Sequence, residues 1–154
     1  MVSPEKLLWV TKIRNKTDRL TSWAPWPNIN PDLVSYLSFV VILPVVFFAD
    51  RLFLVLILVC LSILLDWSDG LIARRYNRSS VHGYWVDLIS DRLGEAVLAI
   101  SFGDLWLTLF VTNILISFYS WQMKTNFVMP VRLIFLLLLA LKIFNVDLGL
   151  IIIN

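Results

Sequence analysis

The sequence is poor in the residues that build many soluble catalytic sites. Its 154 residues include one cysteine, Cys60, and one histidine, His82, so no intramolecular disulfide can form and no cysteine/histidine metal motif is present. It has only five glycines and no glycine-rich phosphate-binding loop. It also has no internal repeat or low-complexity segment. Charged residues make up only 16% of the chain, and the length suits one domain.

Apolar residues dominate instead. They form 59% of the chain, and the mean hydropathy is +0.82, which is too apolar for a soluble domain and indicates a polytopic, all-α membrane protein. The apolar runs predict five full spans, over residues 33–49, 52–73, 81–102, 105–123 and 130–144. Residues 145–154 are too few for a normal sixth span, which is therefore missing or abbreviated. No cleavable signal peptide is expected, because the first long apolar run begins after residue 32.

The amino-terminal residues differ from the rest. Residues 1–26 alternate basic and apolar side chains, which predicts an amphipathic helix on the membrane surface; an irregular basic tail is the alternative. We therefore divide the chain into this juxtamembrane segment and a transmembrane domain, residues 27–154. The amino-terminal segment, the 74–80 loop and the 124–132 region together hold ten Lys or Arg, so we expect these ends on the cytoplasmic side of the cell membrane. Nucleic acid is not an expected partner, because the basic segment leads directly into a span.

Four aspartates stand out within the apolar runs. Asp66 and Asp69 are spaced i, i+3, and Asp87 and Asp91 are spaced i, i+4, so each pair shares one face of a helix. If the chain reverses near Arg78, the two pairs lie at the same depth. Carboxylates inside a membrane are costly, and hard divalent cations with oxygen ligands are their natural partners. The spacing therefore predicts a four-carboxylate metal cage.

The spacing of eight residues identifies a family resemblance. The eight residues are Asp66, Asp69, Gly70, Ala73, Arg74, Gly83, Asp87 and Asp91. They match the signature of the CDP-alcohol phosphotransferases at every specified position. The chance of such a match is on the order of 10⁻¹⁰ per window at average composition. The resemblance implies a membrane enzyme that carries two Mg²⁺ or Mn²⁺ ions and transfers a substituted phosphate group from a CDP-linked donor, with release of CMP.

The resemblance also implies residue roles. All four aspartates are expected to bind metal, and Asp91 is expected to act as the base that takes the proton from the acceptor hydroxyl. The CDP pocket is expected to contain Asp69, Gly70, Ala73, Arg74 and Gly83. The small residues among them would allow two helix backbones, or a backbone and a ligand, to approach closely. Without the motif, an interfacial anchor would be an equally good interpretation of the arginine.

The donor and the acceptor are less constrained. We expect phosphatidyl transfer from CDP-diacylglycerol, or an archaeal ether analogue, to a small polar alcohol. The cations that could hold an acceptor phosphate are Arg75, Arg78, Lys124 and Arg132. Positive-inside bias explains the same four equally well. Arg92, directly after the last aspartate, resembles inositol-type and archaeal members, which favours inositol phosphate. Ser38, where many bacterial members carry arginine, weighs against the glycerol-phosphate branch.

Several alternatives remain open at this point. Within the family, the acceptor could be glycerol 3-phosphate or an amino alcohol, or a CDP-aminoalcohol could be the donor. Outside it, the chain could be a divalent-cation transporter or an inactive membrane scaffold. Trp106, Phe110 and Phe118 recur on the fourth span, and the resemblance favours a homodimer, although lipid contact would explain the same apolar residues.

Overall fold

All regular elements of the described residues are helices. The computed structural model describes residues 27–122 and 130–144. Their helices are α1 (Pro31–Ile42), a 3₁₀ segment (Leu43–Val46), α2 (Leu52–Arg75), α3 (Val81–Phe102), α4 (Asp104–Gln122) and α5 (Val131–Ile143). The all-α prediction is confirmed, and α2 to α5 lie within two residues of the predicted ranges. The predicted surface helix in residues 1–26, Lys124 and the abbreviated sixth span lie outside the described residues.

Prolines lie at the beginning of the first helix and two residues after its end. The Asn30 side chain accepts a hydrogen bond from the Asp32 amide at 3.1 Å, and Pro31 occupies the first turn, where its missing N–H costs nothing. Pro44 then interrupts the α-helix, because it offers no N–H and its ring crowds the preceding turn. The chain continues as the 3₁₀ segment for four residues. The helix is therefore shorter than the predicted span over residues 33–49.

The turns at both ends of α3 have local causes. Asn77 adopts a left-handed conformation with φ of 52° just after α2, a conformation that asparagine tolerates better than most residues. Ser80 caps α3 and accepts a hydrogen bond from the Gly83 amide at 2.9 Å. Gly103 ends α3 with φ of 82°, where a side chain would be strained. The turn between α2 and α3 returns α3 antiparallel to α2, as the sequence predicted, and the turn at Gly103 leads into α4.

Helix α1 packs against both α2 and α3, whereas α2 and α3 make few or no close backbone contacts with each other. Two buried serines, Ser35 and Ser38, lie on the face of α1 that allows this close approach. Helix α4 packs on α3, and α5 packs on α2. The small signature residues therefore do not bring α2 and α3 onto each other, and the expectation that they let two helix backbones, or a backbone and a ligand, approach closely stays a prediction.

The apolar core occupies the half of the bundle away from the aspartates. Phe135 is fully buried, and its ring centroid lies 4.9 Å from Phe102 and 4.6 Å from Trp106. Around these rings pack valines of α2 and leucines of α3 and α5. A helix that contributes side chains both to this core and to the region of the aspartates therefore has an apolar half and a polar half.

The position of Trp106 changes one sequence interpretation. Trp106 is buried against Phe135, whereas Phe118 is exposed. The two aromatic residues therefore do not form a single outward stripe on α4. The dimer expectation does not depend on this stripe alone and stays a prediction.

Of the described helices, only α2 (Leu52–Arg75) is both long and apolar enough to cross a membrane by length and composition. The apolar segments Pro31–Val46 and Asp104–Ser120 are shorter. Helix α3 has 22 residues but carries four charged side chains, which lower its hydropathy. The predicted count of five spans is therefore not confirmed. Large apolar side chains are nevertheless exposed on every helix, a surface that fits contact with lipid.

The aromatic core supports a stability prediction. Phe135→Ala removes a fully buried ring that contacts two aromatic partners, so we expect a loss of about 3–5 kcal/mol in the free energy of unfolding. Phe53→Ala is the matched control, because Phe53 is 67% exposed on α2. Thermal unfolding in detergent should show a clear decrease for the first variant and little change for the second. Equal decreases would contradict the assignment of the core.

Candidate active site

Three of the four aspartates converge. Asp66 and Asp69 on α2 and Asp87 on α3 each offer a carboxylate oxygen, and these three oxygens lie within 4.8 Å of one another. Such oxygen donors suit a hard divalent cation. One carboxylate oxygen here, Asp66 Oδ1, is buried without a hydrogen-bond partner, which is the state expected of an atom that coordinates a cation. The residues therefore fit the metal that the resemblance implies.

A serine from the first helix orients one of these carboxylates. The buried Ser35 hydroxyl donates a short hydrogen bond to Asp69 Oδ2. Ser35 was not among the site residues predicted from the sequence. The only signal available was its place as a polar residue near the start of the first apolar run. The close packing of α1 on α2 brings it into the site.

The fourth aspartate has a different partner. Asp91 Oδ1 lies 3.1 Å from Arg132 Nη1, and the same nitrogen is 3.7 Å from Asp66 Oδ1. Asp66 and Asp91 therefore lie side by side, in agreement with their predicted equal depth. Asp91 keeps 27% of its side-chain surface exposed. The group of three carboxylates that could hold a metal does not include Asp91 among the described residues.

A cavity of about 300 Å³ adjoins the carboxylates. It is formed by the start of α1, the end of α2, the following loop and the start of α3. Its lining residues are Pro31, Asp32, Ser35, Gly70, Ala73, Arg74, Arg78, Ser79, Ser80, Gly83, Tyr84 and Asp87. Four of the five residues expected in the CDP pocket line this cavity, and the fifth, Asp69, precedes Gly70 in the chain.

The signature glycines leave room in this cavity. A methyl group added at Gly70 would lie 3.2 Å from Arg74 Nη1. At Gly83 it would lie 3.4 Å from Ser80 Oγ and 3.5 Å from Asp32 Oδ1. Both glycines line the cavity, so their missing side chains leave space for a ligand beside the α2 and α3 backbones.

The cations predicted to meet an acceptor phosphate do not all lie together. Arg75 ends α2, and Arg78 lines the cavity, where its Nη1 donates to the Ile29 carbonyl at 3.2 Å. Arg132 lies inside the bundle beside Asp91, and Lys124 is outside the described residues. At the rim of the cavity, the exposed His82 lies 3.4 Å from Asp32, a pair that was not predicted from the sequence.

A second polar cluster connects α3 to α4. Arg92 Nη1 donates to Glu95 Oε2, one helical turn along α3, at 2.7 Å. The buried Asn113 side chain donates to both Glu95 oxygens, at 3.1 and 2.9 Å. These bonds satisfy a buried carboxylate and fix the packing of α4 on α3.

The model of the CDP-alcohol phosphatidyltransferase family matches residues 28–152, which include the carboxylates, the cavity and the second polar cluster. No curated protein and no solved structure matches. The matched region contains all eight signature residues, including those that line the cavity. The chain therefore belongs to the CDP-alcohol phosphatidyltransferase family, membrane proteins whose reaction is transfer of a phosphatidyl group from a CDP-alcohol.

Proposed function

We propose that the chain is a metal-dependent phosphatidyltransferase. Its donor is a CDP-linked lipid, CDP-diacylglycerol or an archaeal ether analogue, and its acceptor is the hydroxyl of a small polar alcohol such as inositol phosphate. The observation that carries this proposal is the cavity lined by Asp87, which is one of the converging carboxylates. A cavity of about 300 Å³ lies at the lower end of the range for small-molecule sites.

The polarity of the cavity suits a nucleoside diphosphate. Arg74 at its wall can bind a phosphate oxygen, and Gly70 and Gly83 leave space for the nucleotide next to the backbone. Exposed apolar surface on the surrounding helices would hold the acyl or ether chains in lipid. The water-soluble and the lipid parts of the donor would therefore approach the same point from different directions.

The reaction exchanges one phosphorus–oxygen bond for another. The acceptor oxygen attacks the phosphorus that carries the lipid and forms a new bond to it. The bond between this phosphorus and the oxygen bridging to CMP breaks, and CMP leaves with the electron pair. The hydroxyl proton passes to the Asp91 carboxylate, which is partly exposed and lies beside the Asp66 carboxylate.

Divalent metal is part of this proposal. Asp66, Asp69 and Asp87 would hold Mg²⁺ or Mn²⁺, and we propose two ions, with Asp91 shared as a ligand. When bound, the metal neutralises charge on the diphosphate and polarises it. Ser35 orients the Asp69 carboxylate for this task by its hydrogen bond.

For the acceptor phosphate we propose Arg75 and Arg78, with Lys124 from the segment that precedes α5. Arg78 is the best placed of these, because it lines the cavity. The basic residues at this end of the helices favour a site that opens to the cytoplasmic side of the cell membrane. We further propose that the chain works as a homodimer.

Metal binding can be measured apart from activity. Asp66→Asn removes a metal ligand and should weaken metal binding. Ser35→Ala removes the hydrogen bond to Asp69, and loss of such an orienting partner raises the metal Kd roughly 10- to 100-fold. The control for the first is Asp50→Asn in an exposed turn. The control for the second is Ser38→Ala, because this buried serine donates to the Ser35 carbonyl and not to an aspartate. Titration with Mn²⁺, followed by electron paramagnetic resonance, should show weaker binding for the site variants alone. Unchanged binding in Asp66→Asn would exclude this metal site.

Turnover tests the reaction itself. In proteoliposomes containing CDP-diacylglycerol and a panel of acceptors, the chain should release CMP, lose this activity in chelator and regain it with Mg²⁺ or Mn²⁺. Asp91→Asn should lower kcat about 10²- to 10⁴-fold, the usual contribution of a general base, while donor binding persists. Metal flux without any CMP release would support the transporter instead.

The acceptor site gives a third prediction here. A hydrogen bond from arginine to phosphate contributes about 1.5–3 kcal/mol, so Arg78→Gln should raise the acceptor KM roughly 10- to 150-fold. The donor KM should change little, because Arg74 is intact. Arg51→Gln in the loop before α2 is the control. Inositol phosphate and glycerol 3-phosphate should be compared, and an effect on neither KM would remove Arg78 from the acceptor site.

A further inference from the structure

Arg132 occupies an unusual position for a cation at the start of a helix. It is the second residue of α5, yet its side chain is directed into the bundle and is only 5% exposed. Nη2 donates to the Ser90 carbonyl at 2.7 Å. Nη1 lies 3.1 Å from Asp91 Oδ1 and 3.4 Å from Ser62 Oγ. The guanidinium therefore contacts α2 and α3 at once, although these helices barely meet through their backbones.

A glycine creates the space for this guanidinium. A methyl group added at Gly94 would lie 2.8 Å from Arg132 Cζ and 3.0 Å from its Nε, too close for a side chain to coexist with the observed position. Gly94 lies one helical turn after Ser90, the residue whose carbonyl accepts from Arg132. Arg132 Nε faces this slot and has no hydrogen-bond partner there. The slot holds the flat guanidinium on the same face of α3 as Asp91.

We propose that Arg132 is a positioning residue that holds the Asp91 carboxylate in its reactive orientation, and that Gly94 provides the slot this requires. The inference rests on the proposed role of Asp91 as the base. Two constraints define the orientation, because the planar guanidinium donates a hydrogen bond to the α3 backbone from one nitrogen and forms an ion pair with Asp91 through the other. A carboxylate so held loses little freedom when the acceptor hydroxyl arrives.

The geometry favours positioning over direct contact with the acceptor phosphate. Both terminal nitrogens of Arg132 already have oxygen partners, and the side chain is buried. A phosphate would have to displace Asp91 or the Ser90 carbonyl to be bound. Arg78, in contrast, lines the cavity. Positioning of Asp91 predicts a lower kcat, whereas binding of the acceptor phosphate predicts a higher acceptor KM, so kinetic measurements distinguish the two roles.

The first test uses Arg132→Gln and Arg132→Lys in the full chain, assayed for CMP release with the donor and each acceptor varied in turn. Misplacement of a reacting group by about 1 Å can cost about 10²-fold in rate, so we expect kcat of Arg132→Gln to fall by about that factor with both KM values unchanged. Arg132→Lys should recover only part of this loss, because lysine keeps the charge but lacks the planar pair of donors. Arg51→Lys, far from the site at the start of α2, is the matched control.

The second test leaves Arg132 in place. Gly94→Ala fills the slot, and the atom it meets is the far end of a flexible side chain, so the guanidinium can move and the fold should survive. We expect a loss of kcat similar to that of Arg132→Gln, again without a change in KM. In the double variant, Gly94→Ala should add nothing to the loss from Arg132→Gln, because both changes act through the same contact. If the Arg132 variants fail to fold, Gly94→Ala alone decides the question.

Other outcomes overturn the inference. A rise in acceptor KM with kcat retained means that Arg132 binds the acceptor phosphate. A lower melting temperature with kcat and KM unchanged means that it only stabilises the bundle, and weaker Mn²⁺ binding with kcat intact at saturating metal means that it acts through Asp66.

Additive losses in the double variant show that Gly94 acts in another way. A parent chain that releases no CMP with any acceptor overturns the proposed function and this inference together, whereas an active parent with unaffected variants overturns the inference alone.

Discussion

The cost of placing carboxylates among apolar helices is the constraint on which the rest of this structure depends. A charged side chain in the middle of a membrane helix costs about 2.5–3.5 kcal/mol even by the lower scales. The described helices carry five such carboxylates near mid-bundle: Asp66, Asp69, Asp87, Asp91 and Glu95. Serine, arginine and asparagine side chains from three other helices contact three of them directly. Asp66 lies 3.7 Å from the same arginine, and Asp66 and Asp87 belong with Asp69 to the group that suits a cation.

This requirement explains the way the helices are arranged. A close contact between α2 and α3 would leave no room between the aspartates for a cation or a diphosphate. The structure instead separates their backbones and fills the interval from both sides, with α1 and its buried Ser35 on one side and the Arg132 guanidinium of α5 on the other. The close packing of apolar side chains takes place in the opposite half, around Phe135. The closely packed apolar half of each helix therefore holds the polar half in position.

The two arginine contacts on α3 lie one helical turn apart, at Asp91 and Glu95. Arg92 pairs with Glu95, which also accepts from Asn113 of α4, while Arg132 reaches Asp91 from α5. Both of these α3 carboxylates are thus paired with a cation, the arrangement in which burial costs least. These pairs also fix the rotation of α3, and the rotation of α3 determines where Asp87 and Asp91 point. The same bonds that offset the cost of burial therefore determine the geometry of the site.

The sequence by itself determined the helices and the identity of the chemical groups. Apolar runs, prolines and capping residues act locally, so the predicted ranges of α2 to α5 agree closely with the observed ones. The spacing of Asp66 and Asp69 likewise placed them on one helix face, because residues one turn apart share a face, and the reversal of the chain near Arg78 placed Asp87 at the same depth.

Only the tertiary structure decided which helices meet. Lipid-facing and protein-facing residues are equally apolar in a membrane helix, so no amphipathic stripe indicates that α1 lies against both α2 and α3. For the same reason Ser35 was missed. The sequence also could not distinguish the role of Arg132 from that of Arg78, because a cation near the end of a span suits positive-inside topology, phosphate binding and internal pairing equally well. The direction in which each side chain points is set by the packing of the whole bundle, which no local pattern records.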